Sequence, residues 1–278
     1  MNPTNCLNCN KEIIESSKFC SQCGQNTHIH RFTLKHFFHE FFHAFTHTDK
    51  GIFHLLKCLA IRPGTTAREY ITGKRKSYFN PFTFFLILMA IFVISNNFFA
   101  KPVPVRPVSQ EVLNRIPTEE GKKNYVQTLN RGNKANVFMR KNGNIIAMIA
   151  VPFISLFTWL FFRRSRFNYA EHLTANMMFV AFSNLIFTLI IFPLIGWIGN
   201  KGLGFGLTFI AMLLQGIYLG WALNGFLQLK TFLQRFKSMS VAILTIFLWA
   251  IVSVMSVAFY IYQNSHFLDF FTRMRAGA

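Results

Sequence analysis

Apolar residues along this chain fall into five long blocks that lack Asp, Glu, Lys and Arg. They cover about 81–99, 144–162, 173–198, 203–229 and 239–262. A bilayer's hydrocarbon core of about 30 Å needs roughly 20 helical residues, so each block reads as a membrane-spanning helix. Pro152 and Pro193 lie inside blocks two and three, where neighbouring helices tolerate a kink. Trp159, Trp197, Tyr260 and Tyr262 sit near predicted helix ends, as interfacial aromatics do. The fold class expected is an all-α integral membrane bundle of about five transmembrane helices.

Before the first block the pattern changes twice. Residues 1–27 are polar and hold four of the five cysteines. Residues 31–61 carry Phe and Leu at helical spacing among His and Lys, predicting two short amphipathic helices broken at Asp49-Lys50-Gly51. Arg62-Pro63-Gly64 then reads as a stop, and 65–79 as a basic connector. The organisation expected is a metal-binding head at 1–27, amphipathic helices and connector at 28–80, and a membrane domain at 81–278. Within that domain the polar 100–143 segment separates blocks one and two. It opens on proline-rich KPVPVRPV and continues as a helix over about 109–131, with Ser109 as cap. The first thirty residues contain no apolar run, so no cleavable signal peptide is expected.

Composition agrees with lipid as solvent. Hydrophobic residues make up 52% and charged residues 14%, with a mean hydropathy of +0.31. The charged share is well under the roughly 25% of a soluble domain. The net charge of +19 suggests nucleic acid at first sight, but the basic residues are divided among short loops beside apolar blocks. That distribution belongs to membrane orientation and anionic headgroups, and it argues against a nucleic-acid partner. Arg163-Arg164-Ser165-Arg166 and Lys230, Arg235 and Lys237 flank connections on one side, against Lys201 on the other. Short loops discriminate best, so the N-terminus is expected in the cytoplasm and the C-terminus outside.

The strongest chemical signal is Cys6-Leu7-Asn8-Cys9 followed by Cys20-Ser21-Gln22-Cys23. Two CxxC knuckles present four thiolates to one ion, a closed tetrahedral site suited to structural Zn²⁺. Asn10 and Gly24 follow each knuckle, where the backbone must turn permissively. Disulfides would need an oxidising compartment, which a cytoplasmic head does not meet. Cys58 lies one helical turn from His54 and reads as a small buried hydrophobe rather than a ligand.

Other candidates are weaker. His36, His39, His43 and His47 share a helical face that could bind metal, though a helix lying on the bilayer explains them better. Lys74, Arg75 and Lys76 are candidates for contact with anionic lipid. Glu171, His172 and Asn176 at the start of block three, with Gln215 and Asn224 in block four, are candidates for a polar membrane site. Gly216 and Gly220 form a GxxxG spacing for close helix approach. No Walker loop, GxSxG, HExxH or paired intramembrane carboxylate occurs, so no catalytic residue is assigned.

FCSQCGQ, then HTDKGIFHLLKCLAIRPGTTAREYITGKRKSYFNPFTFFLIL, and later NYAEHL resemble a family of bacterial multi-spanning membrane proteins headed by a zinc ribbon and of unknown function. His47, Asp49, Lys50, Gly51, Arg62, Pro63, Gly64, Glu69, Tyr70, Gly73, Lys74, Arg75 and Pro81 carry the resemblance. It implies a four-cysteine zinc ribbon, several membrane helices and no assigned activity. The function expected is a non-enzymatic scaffold or regulatory protein whose ribbon engages a cytoplasmic partner or the membrane surface. The alternative is a small-solute permease using the polar groups of blocks three and four, and a membrane enzyme acting through Glu171 and His172 ranks last.

Overall fold

The computed structural model describes residues 5–13, 17–27, 31, 33–34, 51–99, 105–198 and 201–263. The His36/His39/His43/His47 face lies outside the described residues.

The described chain beyond the ribbon is helical. α1 (Ile52–Ile61) and α2 (Pro63–Ile71) precede α3 (Pro81–Phe99). A polar pair, α4 (Gln110–Arg115) and α5 (Glu119–Lys141), leads to α6 (Gly143–Phe161). α7 (Tyr169–Ile186) passes through a π-helical turn at Phe187–Ile191 into α8 (Phe192–Ile198). α9 (Lys201–Leu227) and α10 (Phe232–Tyr262) complete the bundle.

Four helices are long and apolar enough to cross a membrane: Gly143–Phe161, Tyr169–Ile195, Gly202–Leu227 and Phe232–Tyr262. The first expected span forms, but its apolar stretch Pro81–Ser95 is shorter than the other four. Its N-terminal half is held inside protein, with Phe82, Phe84, Phe85, Leu88 and Met89 all buried. α3 nevertheless runs from the ribbon end toward the opposite one, where the Ser95 hydroxyl donates to Thr188 O at 3.5 Å. Large apolar side chains such as Phe205, Leu244, Ile251 and Phe259 stay exposed along the long helices. Exposed apolar surface on that scale suits hydrocarbon, not water.

One sequence expectation needs correction and another gains detail. The basic connector is partly helical. Pro63 occupies the first turn of α2, where its missing N–H costs nothing, so Arg62-Pro63-Gly64 starts a helix as well as ending one. α2 buries Thr66, Ala67, Tyr70 and Ile71 against α9 and α7. The single helix expected over 109–131 is two. Ser109 caps only Gln110–Arg115, and a second cap, Thr118 accepting from Gly121 N, starts α5, which continues to Lys141. Pro117 separates them, because the residue before a proline is driven out of helical geometry.

α9 and α10 form the most extensive helix pair. A Cβ on Gly216 would meet Ile243 Cγ1 at 2.8 Å, and one on Gly220 would meet Met239 Cα at 2.9 Å. The GxxxG spacing therefore seats α10 against α9. Arg163, Arg164, Arg166, Lys230, Arg235 and Lys237 all lie at the ribbon end, where Lys237 Nζ donates to Phe161 O at 3.2 Å.

Candidate functional site

The ribbon is built from one hydrogen-bond pattern used twice. Cys6 N donates to Lys11 O and Asn10 N to Cys6 O; Cys20 N donates to Gln25 O and Gly24 N to Cys20 O. Asn10 (φ 61°) and Gly24 (φ 69°) both adopt the left-handed conformation that closes each knuckle. The cross-pairs Cys6–Cys23 and Cys9–Cys20 have Sγ···Sγ distances of 3.6 Å, and all four Sγ lie within 4.8 Å of one another. Tetrahedral Zn–S bonds of about 2.3 Å place sulfurs roughly 3.8 Å apart, so the donor set fits such an ion. A disulfide would need about 2.05 Å. The backbone amides of Cys23 and Gln22 favour the Cys20 thiolate and pull that thiol down to about 6. The Lys11 amide acts likewise on Cys9, but desolvation and the neighbouring sulfurs outweigh it and push that thiol up to about 12. The four cysteines can bind a metal ion. Cys58 stands apart, buried with its Sγ 3.5 Å from His54 Nε2.

The knuckles are also what attaches the ribbon to the bundle. Buried Gln25 accepts from Lys76 N at 2.8 Å, and the Ser77 hydroxyl donates to Asn8 Oδ1. Beside this joint lies an ion network. Glu69 accepts from Tyr78 OH at 2.5 Å, from Lys74 Nζ at 3.2 Å and from Arg62 Nη1 at 3.3 Å. Desolvation alone would raise the Glu69 pKa, but Tyr78, Lys74 and Arg62 outweigh it and hold the carboxyl below its ordinary range. Gly73, at φ 122°, turns the chain so that Lys74 can reach Glu69. Of the three expected lipid-contact residues, Lys74 is thus ion-paired, Arg75 is half-buried and Lys76 is exposed.

Residues 49–93 match the family described as protein of unknown function (DUF3667). The match covers α1, α2, the Glu69 network and most of α3, and it assigns no activity. No curated protein and no solved structure matches the chain.

The structure does not bring the five polar membrane candidates into one site. Glu171 is buried, and Arg31 donates to both its oxygens, from Nε at 2.8 Å and Nη2 at 2.9 Å. Glu171 also accepts from Asn168 N at 2.7 Å, closing a capping box that starts α7. His172, the next residue, and Asn176, one turn farther along, are fully buried against α6. There the Ser155 hydroxyl donates to Val151 O, and that of Thr158 to Ser155 O. Both hydroxyls can therefore only accept further bonds. Asn176 presents its NH₂ to Thr158 Oγ1 at 2.9 Å and Ser155 Oγ at 3.3 Å, and His172 contacts Thr158 Oγ1 through Nδ1 at 3.3 Å. This bookkeeping puts the imidazole proton on Nδ1.

Gln215 lies farther along the bundle. Its Nε2 donates to Asn184 Oδ1 at 3.3 Å, and both line a cavity of about 500 Å³ with Ser183, Thr208 and Ser253 among apolar side chains. Asn224 joins α9 to α10, its Oδ1 2.8 Å from Ser238 Oγ. The polar candidates of the two apolar blocks thus divide into a cap, a buried cluster, a cavity wall and an interhelical bond.

Sequence patterns gave no sign of Arg31 as the partner of Glu171, because 140 residues separate them. The Arg68 and Arg166 guanidiniums over the Phe167 ring, at 5.5 and 5.1 Å, were equally hidden. Tyr78 had a faint local signal as an aromatic beside a basic run.

Proposed function

We propose that this protein is a non-enzymatic scaffold or regulatory protein of a bacterial inner membrane. A cytoplasmic, zinc-filled ribbon sits on its basic connector and presents an adjustable surface to a protein partner or to anionic headgroups. The observation that carries the reading is the joint itself. Asn8 lies inside the first CxxC loop and Gln25 two residues past the second, so the side chains that seat the ribbon belong to the knuckles a metal would hold in shape. Folding of such a small segment is coupled to its metal, so metal occupancy would decide whether the joint exists. Lys74, Arg75 and Lys76 at the same place would meet anionic lipid, Lys76 foremost because Lys74 is shared with Glu69.

Support for a non-enzymatic role comes from the enclosure of Glu171 and His172, the latter with its Nε2 buried and unpartnered among the described residues. Both Glu171 oxygens are bonded and His172 is closed from solvent. A permease reading draws on the cavity beside Asn184 and Gln215. The deciding experiment is native purification in mild detergent, with partners quantified for Cys6→Ser, Cys20→Ser, Gln25→Ala and Gln215→Leu. The scaffold reading expects the first three to lose partner or vesicle binding and Gln215→Leu to keep it. If the ribbon changes are silent while Gln215→Leu abolishes solute flux, the permease reading replaces it.

A further inference from the structure

We infer that the cleft between α5, α6 and α10, at the end opposite the ribbon, binds a single-chain anionic amphiphile of the fatty-acid class.

The cleft has a volume of about 770 Å³ and is walled by Phe138, Ile146, Ile149, Trp249 and Val252, with Tyr260 toward the helix end. This falls within the roughly 300–1,000 Å³ of ligand pockets. Along α10 it extends from Trp249 to Tyr260, about 16 Å at 1.5 Å per residue. Neither serine on its α10 wall has a hydroxyl hydrogen to offer a ligand. The Ser253 hydroxyl donates to Trp249 O and that of Ser256 to Val252 O, each at 2.8 Å. An alkyl chain laid along these serines strands no hydroxyl proton.

The rim is the reverse. Lys134 lines both this cleft and an adjoining open groove of about 450 Å³, which also contains Lys141 and Asn142. Lys134 and Lys141 are exposed and two helical turns apart on one face of α5. Among the described residues, no Asp or Glu lines either space. Apolar depth with Lys134 at its edge and Lys141 in the adjoining groove complements one chain carrying one negative head. Ser253, Met139, Ile146 and Trp249 also line the Gln215 cavity, so the methyl end can continue toward the bundle interior.

The test uses the full chain in lipid nanodiscs and a terminally brominated fatty acid as quencher of Trp249. Saturable quenching is expected, and it should vanish in Trp249→Phe. In Lys134→Gln/Lys141→Gln, an exposed pair whose loss leaves the bundle intact, affinity should fall about tenfold or more. The brominated alcohol of the same length should bind the wild type weakly and be insensitive to that change. Ser253→Phe, checked for an unchanged melting temperature, should block both. Equal quenching by acid, alcohol and brominated host phospholipid would mean ordinary lipid contact and overturn the proposal. Quenching that persists in Trp249→Phe would place the chain elsewhere and overturn it too.

Discussion

Gly64 of α2 lies directly on Gly225 of α9. A Cβ on Gly225 would stand 3.2 Å from Gly64 Cα, and one on Gly64 would stand 2.6 Å from Gly225 C while colliding with Ala222 O and Phe226 N. Those neighbours are backbone and cannot rotate away. Gly64→Ala should therefore push α2 off the bundle, costing about 1–3 kcal/mol or more. Melting of the detergent-solubilised protein would register it, and protease sensitivity at 65–79 should rise. Gly132→Ala, where nothing lies within 4 Å of the added methyl, should leave both unchanged.

Protonating Glu69 should loosen the same region. Its carboxyl is held below the ordinary value of 4.5 by Tyr78, Lys74 and Arg62 against the opposing effect of desolvation. A depressed folded-state pKa contributes stability that is complete above the unfolded value and disappears as pH falls through the folded one. The melting temperature should accordingly decline below about pH 4.5, and Glu69→Gln should remove that part of the slope. Tyr78→Phe should cost about 1.5–3 kcal/mol, as expected for a hydrogen bond to a charged group.

Loss of Arg31 and loss of Glu171's charge should not be equivalent. Arg31→Ala leaves a buried carboxylate without its cation, whereas Glu171→Gln removes the charge and keeps an oxygen for the Asn168 amide. The first should destabilise more, by about 1–3 kcal/mol, and Arg31→Ala/Glu171→Gln should resemble Glu171→Gln alone. A double-mutant cycle on melting measures this. Additive losses would mean that the pair is not coupled.

Much of the membrane architecture was readable because its signal is local. Charge-free blocks marked α6, α7, α9 and α10, although α10 begins at Phe232, seven residues before its block, and Cys spacing alone assembled the quartet later seen with Sγ atoms within 4.8 Å. The GxxxG contact and the turns at Asn10 and Gly24 also needed only nearby residues. What stayed hidden depends on chain distant in sequence. α2 resembles a polar connector because its buried face is largely Gly, Thr, Ala and Tyr, whose burial against α9 and α7 depends on chain distant in sequence. Glu171, His172 and Asn176 were legible as polar residues at the start of an apolar block, but not that Arg31 would pair with Glu171 or that Thr158 and Ser155 would accept from Asn176.

The account rests on a thiolate-held metal in a chain that lives in lipid. The most direct measurement is elemental analysis of the full chain extracted from membranes by detergent, with zinc counted per polypeptide. One zinc per chain is expected, falling to none in Cys6→Ser/Cys20→Ser while the protein still requires detergent. A metal-free wild type whose four thiols are paired as disulfides, or a chain that stays in aqueous buffer without detergent, would contradict it.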